Sequence, residues 1–187
     1  MIYILPTDTC YGIACALEDK KSYEKIYKIK KRSFDKPLAI MVEDFKWLRN
    51  NTDLTDEQVD FLERYEKPFT VLTNSTPVEL FLQFWDGEEE HLINKDVYQQ
   101  VAIRVASNSI EDKLIRNLWP IWLTSANLSG KWETYKVDKI EQDFEYYIEK
   151  WVVEVLGGTY KLDPTVPASD IFEFIWEGLE IEYLRKN

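Results

Sequence analysis

Tyr3–Lys36 reads YILPTDTCYGIACALEDKKSYEKIYKIKKRSFDK, and its succession of apolar, polar and basic segments decides the class of fold. The apolar run Tyr3–Leu5 stops at Pro6, which cannot donate to a central ladder and so marks a strand end. Thr7, Asp8 and Thr9 follow at once in a loop or bend, then Tyr11 and Gly12. Ile13–Leu17 reads as a second strand, closed by Glu18 and Asp19. Ser22 is placed to cap a helix running to about Lys31, with Glu24 in its first turn. Tyr23, Ile26, Tyr27 and Lys30 share one face of that helix at three- and four-residue spacing. The helix ends in Lys30-Lys31-Arg32, and Lys36 lies just beyond. Hydroxyls and a carboxylate thus follow a strand, and cations follow a helix. That arrangement suits an anionic ligand with polar handles.

Outward from this stretch, Pro37–Val42 reads as a buried strand and Phe45–Leu48 as a short helical piece. Thr55 and Gln58 fit a capping box for a helix striped by Val59, Leu62 and Tyr65, broken at Lys67-Pro68. Phe69–Thr73 is a strand and Asn74–Pro77 a turn. Val78–Ile93 fits helix or strand, with Gly87 and three glutamates reading as an exposed loop. Val101–Val105 is a strand carrying Arg104, and Ser109 caps a helix to Leu118. The buried strand Ile121–Leu123 runs into Thr124–Gly130. A helix from Asp138 to about Glu149, a strand within Trp151–Leu156, an irregular Leu162–Ser169 and strands at Ile171–Ile175 and Leu179–Leu184 complete the pattern. Strands and helices interleave without the clean alternation of a doubly wound fold, which predicts α/β with a mixed sheet.

At 187 residues a single domain over 1–187 is expected, long enough to bury a core without disulfides or a metal. An apolar content of 45% excludes global disorder. Cys10 and Cys15 form neither CxxC nor a zinc spacing, which favours a reducing, cytoplasmic setting. MIYILPTD lacks the basic and apolar regions of a signal peptide. No apolar stretch reaches the length of a membrane span. The net charge of -11 opposes broad contact with nucleic acid. Its distribution is uneven, however. Residues 1–40 carry eight Lys/Arg and five Asp/Glu, leaving 15 and 29 for the rest. A basic patch on an acidic body can still bind a small anion.

The candidate residues fall into separate stretches. Thr7, Asp8 and Thr9 offer hydroxyl donors and a carboxylate that can orient a cation or an amine. Lys30, Arg32 and Lys36 offer point charges and a rigid fork for phosphate or carboxylate, the groups that stabilise charge on a transferring phosphoryl. Ser125 and Asn127 follow a buried strand, where ligands of open α/β sheets sit. Arg104 stands inside an apolar strand. Each has a plainer alternative: a polar turn, a solvated helix end, a Ser/Asn/Gly turn, a solvent-facing arginine. His91 is the only histidine. A Ser-His-Asp triad would require it, and no GxSxG elbow is present. Neither GxxxxGK[ST] nor GxGxxG occurs, and no HExxH or dense Cys/His/Asp cluster suggests a protein-held metal.

Taken together, PTDTCYGIACAL (Pro6–Leu17), KIYKIKKRSFDKPLAIMV (Lys25–Val42), VAIRVASNSI (Val101–Ile110) and LTSANLSG (Leu123–Gly130) resemble the YrdC-like family, whose best-known members are threonylcarbamoyl-adenylate synthases. The resemblance implies one α/β domain, a twisted mixed sheet with flanking helices and a concave basic cavity. It implies synthesis of L-threonylcarbamoyl-AMP from ATP, L-threonine and bicarbonate, with release of pyrophosphate. Mg²⁺ would arrive with ATP, and no metal would be held by the protein alone. The product would serve threonylcarbamoyladenosine modification of tRNA, so tRNA or tRNA-modification proteins are the implied partners. Carried over residue by residue, the family pattern makes Lys30 and Arg32 catalytic. It makes Thr7, Thr9, Tyr11, Lys36, Arg104, Ser125, Asn127, Ser169 and Arg185 substrate-binding. The chain departs from the pattern in the acidic Gly87–Glu90 segment and in three further places. Glu66-Lys67-Pro68 stands where the family has Pro-Gly-Pro. Asp170 stands for the threonine of Ser-Thr-Ile-Val-Asp, and Lys186 for the glycine after Arg185. These departures leave open a paralogue acting on another nucleotide or carbamoyl compound. A non-enzymatic RNA-binding module is the other alternative.

Overall fold

The opening stretch folds as strand, turn, strand and helix, the succession its sequence predicts. Ile2–Pro6 (β1) turns back through Thr7–Cys10 into Tyr11–Ala16 (β2), with Pro6 opposite Tyr11. The computed structural model describes residues 1–74, 98–106 and 118–187. The expectations for Val78–Ile93 with its acidic Gly87–Glu90, for His91 and for the helix capped by Ser109 lie outside the described residues.

Lys20–Lys30 (α1) follows β2, then Ala39–Val42 (β3), Phe45–Asn51 (α2), Asp56–Glu63 (α3) and Phe69–Asn74 (β4). Gln100–Val105 (β5), Ile121–Ser125 (β6), Val137–Glu149 (α4), Val153–Val155 (β7), Asp170–Phe174 (β8) and Ile181–Arg185 (β9) are the other elements of the described residues. The strands form one mixed sheet in the order β7-β1-β2-β6-β3-β5-β4-β8-β9. Among its neighbours, β1/β7, β3/β5 and β4/β8 are parallel and the others antiparallel.

Because successive strand residues point to opposite faces, the sheet sorts its side chains. Ile2, Ile4, Ile13, Ile40, Val71, Ile103, Trp122 and Phe172 pack on one face in a core shared with Tyr23 and Ile26 of α1, Leu48 of α2, Val59 and Leu62 of α3 and Phe144 of α4. The intervening residues of the same strands face away from the helices. Leu5, Ala14, Met41, Ile121 and Leu123 form a smaller cluster there.

Helix boundaries differ from the sequence reading for identifiable reasons. The cap of α1 is Asp19, not Ser22: its carboxylate accepts the Ser22 amide at 3.0 Å, so the helix starts earlier. The Thr55–Gln58 capping box is present. However, α3 ends at Glu63, and Tyr65 lies beyond it with its hydroxyl bonded to Asp170. The last two strands begin at Asp170 and Ile181.

Candidate functional site

At its C-terminus α1 makes the turn on which the site depends. Lys31 adopts φ 51°, the Lys31 amide donates to the Lys28 carbonyl and the Arg32 amide to the Tyr27 carbonyl. This left-handed cap ends the helix and reverses the chain. Lys30 and Arg32 therefore point to different places. Lys30 is 2% exposed, and its ammonium donates to the carbonyls of Ser125 and of Asn127, the latter at 2.6 Å, and to Asn127 Oδ1 at 3.3 Å. In return the Ser129 amide donates to the Lys30 carbonyl at 3.0 Å. The helix end and the loop after β6 are thus fastened to each other. Burial, then the nearby Arg32 charge, pushes the Lys30 pKa down to about 8.

Arg32 bends back: Nε donates to the Lys36 carbonyl and Nη2 to the Pro37 carbonyl, both at 3.0 Å. The segment that receives it is itself held by buried phenols. Tyr23 and Tyr98 hydroxyls meet at 2.7 Å, Tyr27 donates to the Lys36 carbonyl at 3.0 Å, and the Leu38 amide donates to Tyr98 at 3.0 Å. Burial foremost pushes the Tyr23 and Tyr98 hydroxyls well above the usual phenol range, so they stay neutral donors.

Arg32 opens onto a cavity of about 290 Å³ on the sheet face away from the helices, at the small end of ligand pockets. Thr7, Thr9, Arg104, Ser125, Ser169 and Arg185 share its wall. These sequence-selected residues come from strands and loops distant along the chain. Ala39 of β3, Thr70 of β4 and Ala102 of β5, small or polar, line the cavity beside Leu123 of β6 and Ile171 of β8, and leave room above the sheet. Arg104 is paired with Asp8. Thr7 Oγ1 donates to the Cys10 carbonyl at 2.7 Å and meets Thr9 Oγ1 at 3.1 Å, which stiffens the β1–β2 turn. Gly12 permits this turn to close on β6: a Cβ there would meet Leu123 Cδ1 at 2.7 Å and Thr7 Cγ2 at 3.1 Å. Among the described residues the wall carries Arg32, Arg104 and Arg185 with one carboxylate of its own, Glu133, while Asp8 pairs with Arg104 from beside it.

Other expected site residues stand behind the wall. Tyr11 is fully buried, its hydroxyl donating to the Tyr160 carbonyl at 3.4 Å. Asn127 bonds Ser125 Oγ at 2.5 Å and the Lys131 carbonyl. Lys36 contributes its carbonyl to Arg32 and Tyr27. None of these, nor Lys30, is part of the described cavity wall. Thr70 and Glu133 are on it without having been selected from the sequence. Thr70 carried a signal, a hydroxyl within the apolar run FTVLT, whereas Glu133 carried none. Cys10 is also on the wall, but burial pushes its thiol pKa up, which disfavours the thiolate a nucleophile needs. Asp170 is not part of the wall; its carboxylate accepts the Tyr65 hydroxyl and the Asn187 amide, both at 2.7 Å. Among the described residues no group of three or more His, Cys, Asp or Glu is placed to hold a metal ion. No helix among them is long and apolar enough to cross a membrane.

A family model for Sua5, YciO and YrdC proteins, described as "Telomere recombination", matches residues 1–166. The chain belongs to the Sua5/YciO/YrdC family. A relative from Methanocaldococcus jannaschii is 30% identical over 166 residues, covering 88% of this chain and 72% of its own. A Vibrio vulnificus protein named threonylcarbamoyl-AMP synthase is 28% identical over 142 residues, 73% of this chain and 70% of that one. The structure of P. abyssi Sua5 complexed with L-threonine superposes with a TM-score of 0.72 at 24% identity, covering 98% of this chain and 49% of that one. The chain thus spans about half the length of that Sua5, and at this identity the likeness is one of fold. The mixed sheet with helices on one face is the family architecture.

Proposed function

We propose that the cavity makes L-threonylcarbamoyl-AMP from ATP, L-threonine and bicarbonate, releasing pyrophosphate. The observation that carries this reading is the convergence of Arg32, Arg104 and Arg185, from three distant segments, on one hydroxyl-lined cavity in a protein of net charge -11. Such a local excess of guanidinium is suited to a polyphosphate and to the charge that builds on a transferring phosphoryl group.

The threonine amine and bicarbonate first give an N-carboxy carbamate and water. A carbamate oxygen then attacks the α-phosphorus of ATP, the bond from that phosphorus to the bridging oxygen breaks, and pyrophosphate leaves with the electron pair. No covalent enzyme intermediate is needed, so catalysis is positioning and charge stabilisation. Arg32, Arg104 and Arg185 hold phosphate oxygens. Ser125 and Ser169 donate hydroxyl hydrogen bonds, and Thr7, Thr9 and Thr70 shape the subsite for the amino acid. Lys30 acts from beneath, fixing the Ser125–Asn127 loop while adding positive charge. Asn127, Tyr11 and Lys36 support the wall from behind. Glu133 is the wall carboxylate that would help hold a Mg²⁺ ion brought with the nucleotide, and such an ion would supply charge neutralisation. The product would be passed on for tRNA modification.

Incubating the protein with ATP, bicarbonate and each amino acid in turn tests the reading. Pyrophosphate release should depend on threonine and bicarbonate together. Release that ignores threonine, or that follows another amine, assigns the cavity to a different carbamoyl or nucleotide substrate.

A further inference from the structure

The departures from the family pattern at Lys67 and Asp170 meet at one place behind the cavity. Asp170 opens β8, is 1% exposed and directly follows Ser169 of the wall. Its carboxylate is held by the Tyr65 hydroxyl and the Asn187 amide, both at 2.7 Å. The Lys67 ammonium donates to the Asn187 main-chain oxygen at 2.8 Å. The Asn187 side-chain amide donates to the Ala168 carbonyl at 2.9 Å. Asn187 is therefore tied to both sides of Ser169.

Two residues earlier, Arg185 lies against the same point. Its Nε and Nη2 donate to the Ser169 carbonyl at 3.0 and 2.7 Å, and Nη2 reaches Ser169 Oγ at 3.2 Å. Ser169 Oγ in turn meets Thr70 Oγ1 at 2.9 Å. Strand pairing is irregular beside this point. The β8–β9 register shifts between Ile171 and Phe172: Phe172 pairs with Tyr183 and Ile171 with Arg185, so Leu184 is the extra residue beside Arg185, and such irregularities re-aim the side chains next to them. The contacts of Arg185 and Asn187 around Ser169 are placed to fix the guanidinium where the ladder is irregular. Burial by itself raises the Asp170 pKa, but the Asn187 amide, the Tyr65 hydroxyl and the charges of Lys67 and Lys186 hold it below the usual carboxylate range. The hydrogen bonds it accepts at neutral pH are therefore charge-assisted, the stronger kind.

We propose that Asp170 is a positioning residue. With Lys67 it clamps Asn187, and so holds the end of β9 in the one placement that aims Arg185 and the Ser169 hydroxyl at the cavity. Its effect on ligand binding rests on the functional reading above, in which the cavity takes ATP. The clamp orients two groups before the anion arrives, so the ligand does not bear the entropy of ordering them.

Amide hydrogen exchange and ATP titration by calorimetry, both on the full chain, test the clamp. Exchange in the segment 181–187 should rise in Asp170→Ala, return toward wild type in Asp170→Asn, which keeps an acceptor for the Asn187 amide, and rise slightly in Lys67→Ala. Asp170→Ala should weaken ATP binding about tenfold, Asp170→Asn less than about threefold and the surface change Lys67→Ala about twofold. Since Asp170 acts through Arg185, the Asp170→Ala/Arg185→Ala double variant should bind within about twofold of Arg185→Ala alone. Additive losses, or unchanged exchange in Asp170→Ala, overturn the proposal. If Asp170→Ala does not fold, Asp170→Asn and Lys67→Ala carry the test: unchanged exchange in Lys67→Ala overturns it. A wild-type protein that binds no ATP overturns the functional reading and the ligand effect, while the exchange result still decides the clamp.

Discussion

The sheet's two faces are made by the same strands and do opposite work. On β5, Val101 and Ile103 are fully buried against the helices, while Ala102 and Arg104 between them line the cavity. On β4, Val71 faces the core and Thr70 the cavity. The covered face is large, branched and aromatic, so its side chains interlock with α1 to α4. At the cavity the open face combines small residues that leave space with arginines that bring charge, beside the apolar cluster of Leu5, Met41, Ile121 and Leu123. Binding needs the second arrangement, and stability needs the first. The strand period of two lets one segment supply both.

The comparison breaks if substitutions on the two faces have the same consequences. The largest stability effect should come from the covered face. Ile103→Ala removes a fully buried side chain and should cost about 2–5 kcal/mol of unfolding free energy, measured by urea titration, with activity of the folded fraction retained. On the open face, Arg32→Ala should lower kcat/KM for ATP by about 100-fold or more while the denaturation midpoint scarcely moves. An Arg32→Ala protein that unfolds but keeps full activity when folded would erase the distinction.

A subtler effect sharpens it at the seam between α1 and the β6 loop. The Lys30 ammonium serves three acceptors, more than a neutral amine can supply. Activity should therefore fall as pH rises through about 8, the folded-state pKa of Lys30. Lys30→Met should have low activity and lack that alkaline limb in its pH–rate profile. The stability contribution runs the other way. The folded-state pKa lies below the ordinary lysine value of 10.5, so the folded state binds fewer protons between about 8 and 10.5. Keeping Lys30 charged opposes folding below about pH 8, and this opposition fades as pH rises through that window. The smallest effect should come from Lys31, whose φ of 51° is left-handed. Lys31→Gly should stabilise the fold by about 0.5–1 kcal/mol, read from the denaturation midpoint, and leave kcat/KM within about twofold, because the turn it relaxes is already formed.

Local periodicity made most strands legible, along with α1 and the Thr55–Gln58 box, because alternation and capping are properties of neighbouring residues. The places where the reading slipped are those where a distant partner intervenes. Tyr65 continues the helical stripe of Val59 and Leu62, yet it lies beyond α3 and bonds Asp170, a residue far along the chain. Lys30 reads as a phosphate-facing cation, yet its ammonium is turned to the carbonyls of Ser125 and Asn127.

By itself the sequence determined the alternation of the strands, the basic end of the first helix, the hydroxyl-rich turns and the family these motifs resemble, since all of these are written in short-range spacing. Only the tertiary structure decided which cations reach the cavity and which hold its walls. It also decided that Thr70 and Glu133 belong to the wall, and that Asp170 faces away from it. The physical reason is that a side chain's direction relative to a site depends on strand register and on the sharp reversal at Lys31. Those follow from packing between segments that no local pattern connects.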